Sequence, residues 1–144
     1  LTHGHNDHIN AAVPLRDAVD APIWLHDADS MLWDVVWPDD SPARQRAEGG
    51  SLKAARHTLA LMPTPGHTPG SVSIVLPSGD ALVGDLAMNR IPLRLSPGLP
   101  IFAEDMAQLK RSIEKLLAAG AKTIYPAHGK PFPANVLKSA VAAM

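Results

Sequence analysis

Three absences limit what this sequence can encode. It contains no cysteine, so disulfides, thiolate metal ligands and thiol nucleophiles are all excluded. Its 13 basic and 14 acidic residues leave a formal net charge of -1, so it lacks the positive excess that neutralises nucleic-acid phosphates. No apolar run approaches the roughly 18 residues that indicate a membrane span. We therefore expect neither a nucleic acid nor a membrane as a partner.

The length and the hydrophobic content favour a single domain. With 144 residues, 46% of them hydrophobic, the chain can bury one substantial core, and we expect one domain over residues 1–144. The sequence opens with Leu1 instead of Met, and a polar motif starts at its second residue, so we expect translation to begin upstream. The lack of cysteine does not decide the compartment, and the cytoplasm is only slightly favoured.

Apolar residues spaced by three and four positions predict four helices. They are expected near residues 10–19, between a Ser30 cap and Pro38, between Asp105 and Gly120, and from 134 to 144. The third helix has the strongest pattern, because its apolar residues share one face. They are Met106, Leu109, Ile113, Leu116 and Leu117.

Short apolar runs bounded by Gly and Pro predict strands that form a small sheet. These runs lie at residues 22–25, 59–62, 72–76, 81–83 and 122–125. Two stretches, 39–51 and 86–102, have neither helical nor strand periodicity and are predicted to be loops, the second lying over the core. The whole pattern is typical of an α/β (α+β) protein.

A dense histidine motif near the start of the chain is the strongest functional signal. Within six residues it contains His3, His5, Asp7 and His8. Alternate residues of an extended chain point to the same side, so the first three can converge while His8 turns in from a neighbouring position. Chance would produce such a pattern only ~0.001 times in a chain of this composition. The segment is therefore predicted to bind metal.

Three further candidate ligands follow predicted strands. His67 lies in the segment Thr-Pro-Gly-His-Thr-Pro-Gly, Asp85 follows the run at 81–83, and His128 lies in the turn at 126–133. Side chains on strand-end loops are held by a rigid scaffold yet stay accessible, as a catalytic metal requires. Neutral imidazoles and carboxylates suit zinc, and also iron or manganese.

The order of these motifs resembles that of the metallo-β-lactamase superfamily, and most closely its glyoxalase II-like hydrolases. The motifs are His-x-His-x-Asp-His, Gly-His-Thr-Pro-Gly, Gly-Asp and Ala-His-Gly, spread from Thr2 to Phe132. The resemblance implies an αββα sandwich with a dinuclear metal site. It assigns one ion to His3, His5 and His67. It assigns the other ion to Asp7, His8 and His128, with Asp85 bridging the two.

The resemblance also implies a reaction. Two divalent ions, zinc or else iron or manganese, would share a hydroxide that attacks the carbonyl-type bond of a small-molecule thioester, lactone, ester or β-lactam. Asp7 is the expected catalytic residue, because its carboxylate could orient this hydroxide or accept a proton. One alternative is a mononuclear iron oxygenase that acts on persulfides, and another is a non-catalytic metal-binding module. The full second ligand set favours two metals.

Family members usually carry further strands ahead of the first histidine motif. None precedes Leu1 here, so a chain with this fold would lack its N-terminal strands. One sheet would then end in unpaired backbone groups beside apolar surface, a liability that pairing with a second copy relieves. The resemblance therefore predicts a homo-oligomer, and the alternative is an N-terminal piece that the natural protein has and this sequence lacks.

Several other residues are predicted to have ordinary structural roles. His26 and His57 fall outside the motifs and are expected on the surface or in packing. Trp33 and Trp37 are expected in the core instead of forming an aromatic lip, and Lys130 is expected in solvent instead of holding an anionic substrate. Core packing is favoured over a substrate pocket or subunit contact for the apolar residues Met88, Ile91, Leu93, Leu95, Leu99 and Ile101.

Overall fold

The computed structural model describes residues 1–40, 43–45, 50–54, 56–89 and 97–144. Its helices are α1 (Asn6–Ile9), α2 (Ala12–Val19), α3 (Ser30–Val36), α4 (Met106–Ala118) and α5 (Asn135–Ala142). Its strands are β1 (Trp24–His26), β2 (Ala43–Gln45), β3 (Gly50–Ala54), β4 (His57–Pro63), β5 (Val72–Val75), β6 (Asp80–Gly84), β7 (Met88–Asn89), β8 (Pro97–Gly98), β9 (Thr123–Pro126) and β10 (Phe132–Pro133). The predicted mixed α/β class is confirmed.

A sheet of six strands forms the centre of the molecule. Its strand order is β10-β9-β6-β5-β4-β3, and neighbours pair antiparallel except β6 and β9, which are parallel. The chain passes from β6 to β9 through α4, since parallel neighbours need a crossover connection. Two smaller pairs complete the strands: β1 with β2, parallel, and β7 with β8, antiparallel.

The larger core joins α4 and α5 to strands β5, β6 and β9. Leu109, Ile113 and Leu116 are fully buried on α4, which confirms most of the predicted face. Met106 is the exception at 43% exposed, because the first turn of α4 lies beside the His67 loop instead of the sheet. The helix starts after Asp105, whose side chain accepts the Gln108 N–H at 2.8 Å.

A smaller core holds α1, α2, β1 and α3 together. Its buried members are Ile9, Ala12, Ile23, Leu25 and Trp33. Trp33 is fully buried and Trp37 packs against the same cluster, so the predicted core role of both tryptophans is confirmed. The Trp37 indole N–H also donates to the Ile9 carbonyl at 2.9 Å. This core therefore supports α1, the helix that carries two candidate metal ligands.

The predicted loops contain more regular structure than the sequence pattern indicates. β2 and the start of β3 fall inside the stretch 39–51, and β7 and β8 fall inside 86–102. These strands are short and form through their partners, as when Trp24 of β1 pairs with Ala43 of β2, so no apolar run marks them. Ser30 is the first residue of α3 instead of its cap, and Asp29 holds the cap position.

No helix in the described ranges is both long and apolar enough to cross a membrane. The longest of them, α4, has 13 residues, against the ~20 that a bilayer requires. The single-domain organisation and the homo-oligomer stay predictions.

Candidate metal centre

The loops that carry His67, Asp85 and His128 all leave the sheet at the same end of its strands. They follow the ends of β4, β6 and β9 respectively. β6 and β9 are parallel, and β4 runs in the same direction because β5 lies antiparallel between β4 and β6. The first histidine motif is held at this end by the start of β5, where the Val72 N–H donates to the Thr2 carbonyl at 2.8 Å. All four motifs therefore meet in one place.

The first ligand group consists of His3, His5 and His67. The His5 Nδ1 lies 3.1 Å from the His3 Nε2 and 3.0 Å from the His67 Nε2. All three donor atoms lie close enough to hold one ion. In a tetrahedral zinc site with bonds of ~2.0–2.1 Å, neighbouring ligand atoms lie ~3.3 Å apart. The spacing of the three nitrogens is close to that of a metal site.

The tautomer of His67 follows from its second nitrogen. The His67 Nδ1 lies 2.8 Å from the Phe102 carbonyl oxygen, which can only accept a hydrogen bond. Nδ1 must therefore carry the proton, which leaves a lone pair on Nε2, the atom that faces His5. This is how proteins usually orient a metal-binding histidine.

The second ligand group consists of Asp7, His8 and His128. The short helix α1 holds Asp7 and His8, and the Asp7 Oδ2 lies 3.5 Å from the His8 Nε2. The same oxygen lies 3.2 Å from the His128 Nε2, which arrives from the turn after β9. Two imidazoles and a carboxylate thus converge beside the first group, and they suit zinc, iron or manganese.

Asp85 lies between the two groups. Its Oδ2 is 3.5 Å from the Nε2 atoms of both His67 and His128, and its Oδ1 is 3.6 Å from the His8 Nε2. In the part of the chain that the structure describes, the buried Asp85 Oδ1 and His8 Nε2 have no hydrogen-bond partner. Such atoms are costly unless something else binds them, and a metal ion satisfies both. The donor set therefore fits a metal centre in which Asp85 reaches both groups.

The charges of the site prepare its histidines and carboxylate for this role. Burial, aided by the neighbouring rings of His8 and His67, lowers the pKa of His3 to about 3. Burial likewise lowers the pKa of His5, so both rings are neutral and keep a lone pair at pH 7. Burial acts to raise the pKa of Asp85, but the nearby His8 outweighs it and the pKa is lowered, which favours the carboxylate.

His8 is shifted in the opposite direction. Burial acts to lower its pKa, but the carboxylates of Asp85 and Asp7 outweigh this effect and the pKa is raised. Their attraction for a cation at this point is the attraction that a metal ion would feel.

A cavity of about 370 Å³ opens beside the two groups. It is lined by His5, Asp7, His67, Asp85, Met88, Asn89, Ile101, Phe102 and His128. Met88 is buried, as expected, and also borders the cavity. Ile101 is 70% exposed, so the expectation of core packing is wrong for this residue, which the segment before α4 brings beside the candidate ligands. Leu99 packs against the larger core, as predicted, and the predictions for Ile91, Leu93 and Leu95 lie outside the described residues.

Some contributing residues carry no signal in the sequence. Phe102 acts through its backbone carbonyl, which any residue could provide. Asn89 is buried, and its Oδ1 accepts the Lys130 N–H at 2.7 Å, which holds the His128 turn.

The Lys130 side chain is exposed, as predicted. His57 is exposed, and the His26 Nδ1 accepts the Ala28 N–H, so both have the ordinary roles expected.

Comparison with known proteins supports the family that the order of the motifs predicts. A family model described as the metallo-beta-lactamase superfamily matches residues 1–128. The probable metallo-hydrolase YflN of Bacillus subtilis is 27% identical, over 96% of this chain and 66% of that protein. The hydroxyacylglutathione hydrolase of Bartonella quintana is 32% identical, over 81% of this chain and 42% of that protein. The chain thus spans less than two thirds of the length of either relative.

Solved structures show the same fold. The crystal structure of TTHA1623 in a di-iron-bound form has a TM-score of 0.71 and 28% identity, covering 94% of this chain and 71% of that one. The B3 metallo-β-lactamase BLEG-1 has a TM-score of 0.74 at 21% identity, over 94% of this chain and 71% of its own. The expected fold class is confirmed, and the chain belongs to the metallo-β-lactamase superfamily.

Proposed function

We propose that this chain holds two divalent metal ions and hydrolyses a carbonyl-type bond of a small molecule, namely a thioester, lactone, ester or β-lactam. The observation that carries the proposal is the position of Asp85 between two three-residue ligand groups, with one of its oxygens and the His8 Nε2 buried and, among the described residues, without a hydrogen-bond partner. Membership of the superfamily supports a hydrolase-type, metal-dependent function.

The two groups divide the ligands between two ions. His3, His5 and His67 would hold one ion, and Asp7, His8 and His128 the other, with Asp85 shared. When bound, such a pair supplies an activated water and polarises the carbonyl that is attacked. Zinc suits these ligands best, while iron and manganese are accepted by the same atoms.

Asp7 is the residue best placed for proton transfer. Its side chain is 60% exposed and lines the cavity, whereas Asp85 is buried. An accessible carboxylate can orient the attacking water and accept its proton, and can later release that proton to solvent. Binding of a metal by the same side chain is compatible with this role, because a carboxylate has two oxygens.

The cavity supports a substrate with an apolar portion next to the reacting carbonyl. The ligands form its polar floor, while Ile101 and Phe102, both largely exposed, form an apolar border together with Met88. An acyl chain or ring can contact this border while its carbonyl points at the ligands. The size of about 370 Å³ suits a small molecule.

Metal analysis together with a hydrolysis panel tests the proposal. Protein purified without chelator is expected to contain close to two ions per chain by elemental analysis. It is expected to cleave at least one member of a panel of thioesters, lactones, esters and β-lactams. Chelation should abolish this activity, and zinc or manganese should restore it.

Three outcomes would contradict the proposal or one of its parts. A single iron per chain with oxygen consumption that depends on a persulfide would indicate the oxygenase alternative. Failure to bind any added metal would indicate a non-catalytic module, and Asp7→Asn with unchanged turnover would remove Asp7 from the proton-transfer step.

A further inference from the structure

The carboxylate of Asp29 lies between two of the loops that carry predicted ligands. Asp29 ends a 3-10 turn just before α3 and is only 1% exposed. Its Oδ2 accepts the Gly4 N–H and the Thr68 hydroxyl, both at 2.8 Å, and its Oδ1 accepts the Gly70 N–H at 2.7 Å. One buried side chain thus joins three parts of the molecule that are distant in sequence.

Each of these contacts lies within three residues of a candidate metal ligand in the sequence. Gly4 separates His3 from His5, and Thr68 directly follows His67. Asp29 therefore contacts the backbone that carries every member of the first ligand group. It makes no comparable contact with Asp7, His8 or His128 among the described residues.

The packing around this carboxylate leaves no room for change. A Cβ built on Gly70 would lie 2.5 Å from the Asp29 Cγ, and a Cβ built on Gly4 would lie 3.0 Å from the Asp29 Cβ. Both loops can approach the carboxylate this closely only because they have glycine there. The close contact therefore depends on glycine at positions 4 and 70 as well as on Asp29 itself.

The hydrogen bonds also require a carboxylate in particular. Three donors point at its two oxygens, and an ionised carboxylate accepts at both of them. An amide of the same shape would direct its NH₂ group at the Gly70 N–H in one orientation, and at the Gly4 N–H in the other. Asparagine would therefore lose the hydrogen bond to one of the two glycine N–H groups, although in the first orientation its oxygen would still accept the Gly4 N–H and the Thr68 hydroxyl.

We propose that Asp29 is a positioning residue for the first ligand group, holding His3, His5 and His67 in place before a metal ion binds. The inference rests on the proposed function in requiring that these histidines bind metal. Asp29 touches none of their ring nitrogens and positions them through the loops, while its charge also acts on His5 from a distance. Ligands that are already arranged bind more tightly, because less conformational freedom is lost on binding.

Cobalt binding to the metal-free chain tests this role. Co²⁺ is titrated into wild type and Asp29→Asn against a competing chelator, while visible absorption reports the ligand geometry. We expect the affinity of the first ion to fall by about 10- to 100-fold in Asp29→Asn, the range found for residues that orient ligands. The absorption bands of the first ion should shift as well.

Two control variants separate positioning from folding. Asp27→Asn removes the same charge from the same 3-10 turn, but the Asp27 Oδ1 has no hydrogen-bond partner in the described chain. Leu137→Ala removes a fully buried side chain of α5 and lowers stability away from the ligand loops. Both controls should keep the wild-type cobalt affinity and spectrum.

Each result supports or overturns the inference. Equal cobalt affinity and spectra in wild type and Asp29→Asn, even with a lower Tm, would overturn it. If Asp29→Asn does not fold, Thr68→Val replaces it, because this variant keeps the carboxylate and removes one donor. The affinity for the first Co²⁺ ion should fall by about 10-fold in this variant, and an unchanged affinity would again overturn the inference. Wild type that binds no Co²⁺ would overturn the proposed function itself, and this inference with it.

Discussion

The two ligand groups share Asp85 but differ in how closely the protein surrounds them. In the first group His3 is 1% exposed and His67 is 4% exposed, and the ring nitrogens lie 3.0 and 3.1 Å apart. In the second group the side chains of Asp7 and His128 are 60% and 39% exposed, and the atoms are 3.2 to 3.5 Å apart. We call the first group enclosed and the second open, because two of the three first-group residues are buried, although both groups reach the cavity, the first through His5 and His67 and the second through Asp7 and His128.

This difference indicates a division of work between the two positions. The enclosed group has its ligands arranged in advance, by Asp29 behind the loops and by the Phe102 carbonyl at His67. Its ion should therefore be held tightly. The open group must order exposed side chains when it binds, which costs conformational entropy. Its ion should exchange more readily than the ion of the enclosed group.

The largest effect is expected from Asp85→Ala, which should affect both ligand groups and so remove the difference between them. Asp85 contacts ligands of both groups and its charge reduces the repulsion between two nearby cations. Both ions should be lost or weakened together, each by more than the roughly 10- to 100-fold typical of residues that only orient ligands. Metal content by elemental analysis after dialysis measures this effect. Loss of one ion with the other bound as in wild type would contradict a shared role for Asp85.

The next largest effect comes from removing one ligand of either group. His67→Ala should abolish tight binding, because the enclosed group loses a ligand whose orientation is already set. His128→Ala should leave about one tightly bound ion per chain, since the enclosed group stays complete. Calorimetric titration with Zn²⁺ resolves the two binding steps.

A histidine outside the site provides the control for this pair. His57→Ala changes an exposed residue at the start of β4 and should bind zinc as wild type does. Equal losses in the His67 and His128 variants would show that the two groups do not differ in the way proposed here.

A smaller effect, limited to the open group, is expected from Asn89→Ala. The Asn89 Oδ1 accepts the Lys130 N–H at 2.7 Å, and its backbone N–H donates to the His128 carbonyl, so it holds the turn that presents His128. Affinity for the second ion should fall by roughly 10-fold, while the first is unchanged. Asn135→Ala, at an exposed position on α5, is the matched control. A lower affinity for the first ion, with the affinity for the second unchanged, would contradict the assignment of Asn89 to the open group.

The elements that the sequence predicted well are those with a strong local pattern. α4 shows its apolar face, its start near Asp105 and its Gly120 end directly in the sequence, and the structure confirms both ends and most of the face. β2 and β8 have no such pattern, because they consist of two or three residues that become strands only by pairing with a neighbour. Met106 fits the helical period but is exposed, because periodicity does not report what lies opposite each turn.

By itself, the sequence predicted which residues could bind metal and which fold class holds them. Histidines and carboxylates in four ordered motifs are recognisable from residue type and spacing, because metal chemistry depends on the side chain. Only the tertiary structure decided that Asp29, Asn89 and the Phe102 carbonyl hold these ligands, and that one group is enclosed while the other is open. These roles depend on hydrogen bonds between segments that are far apart along the chain. Neither residue type nor local spacing encodes such contacts.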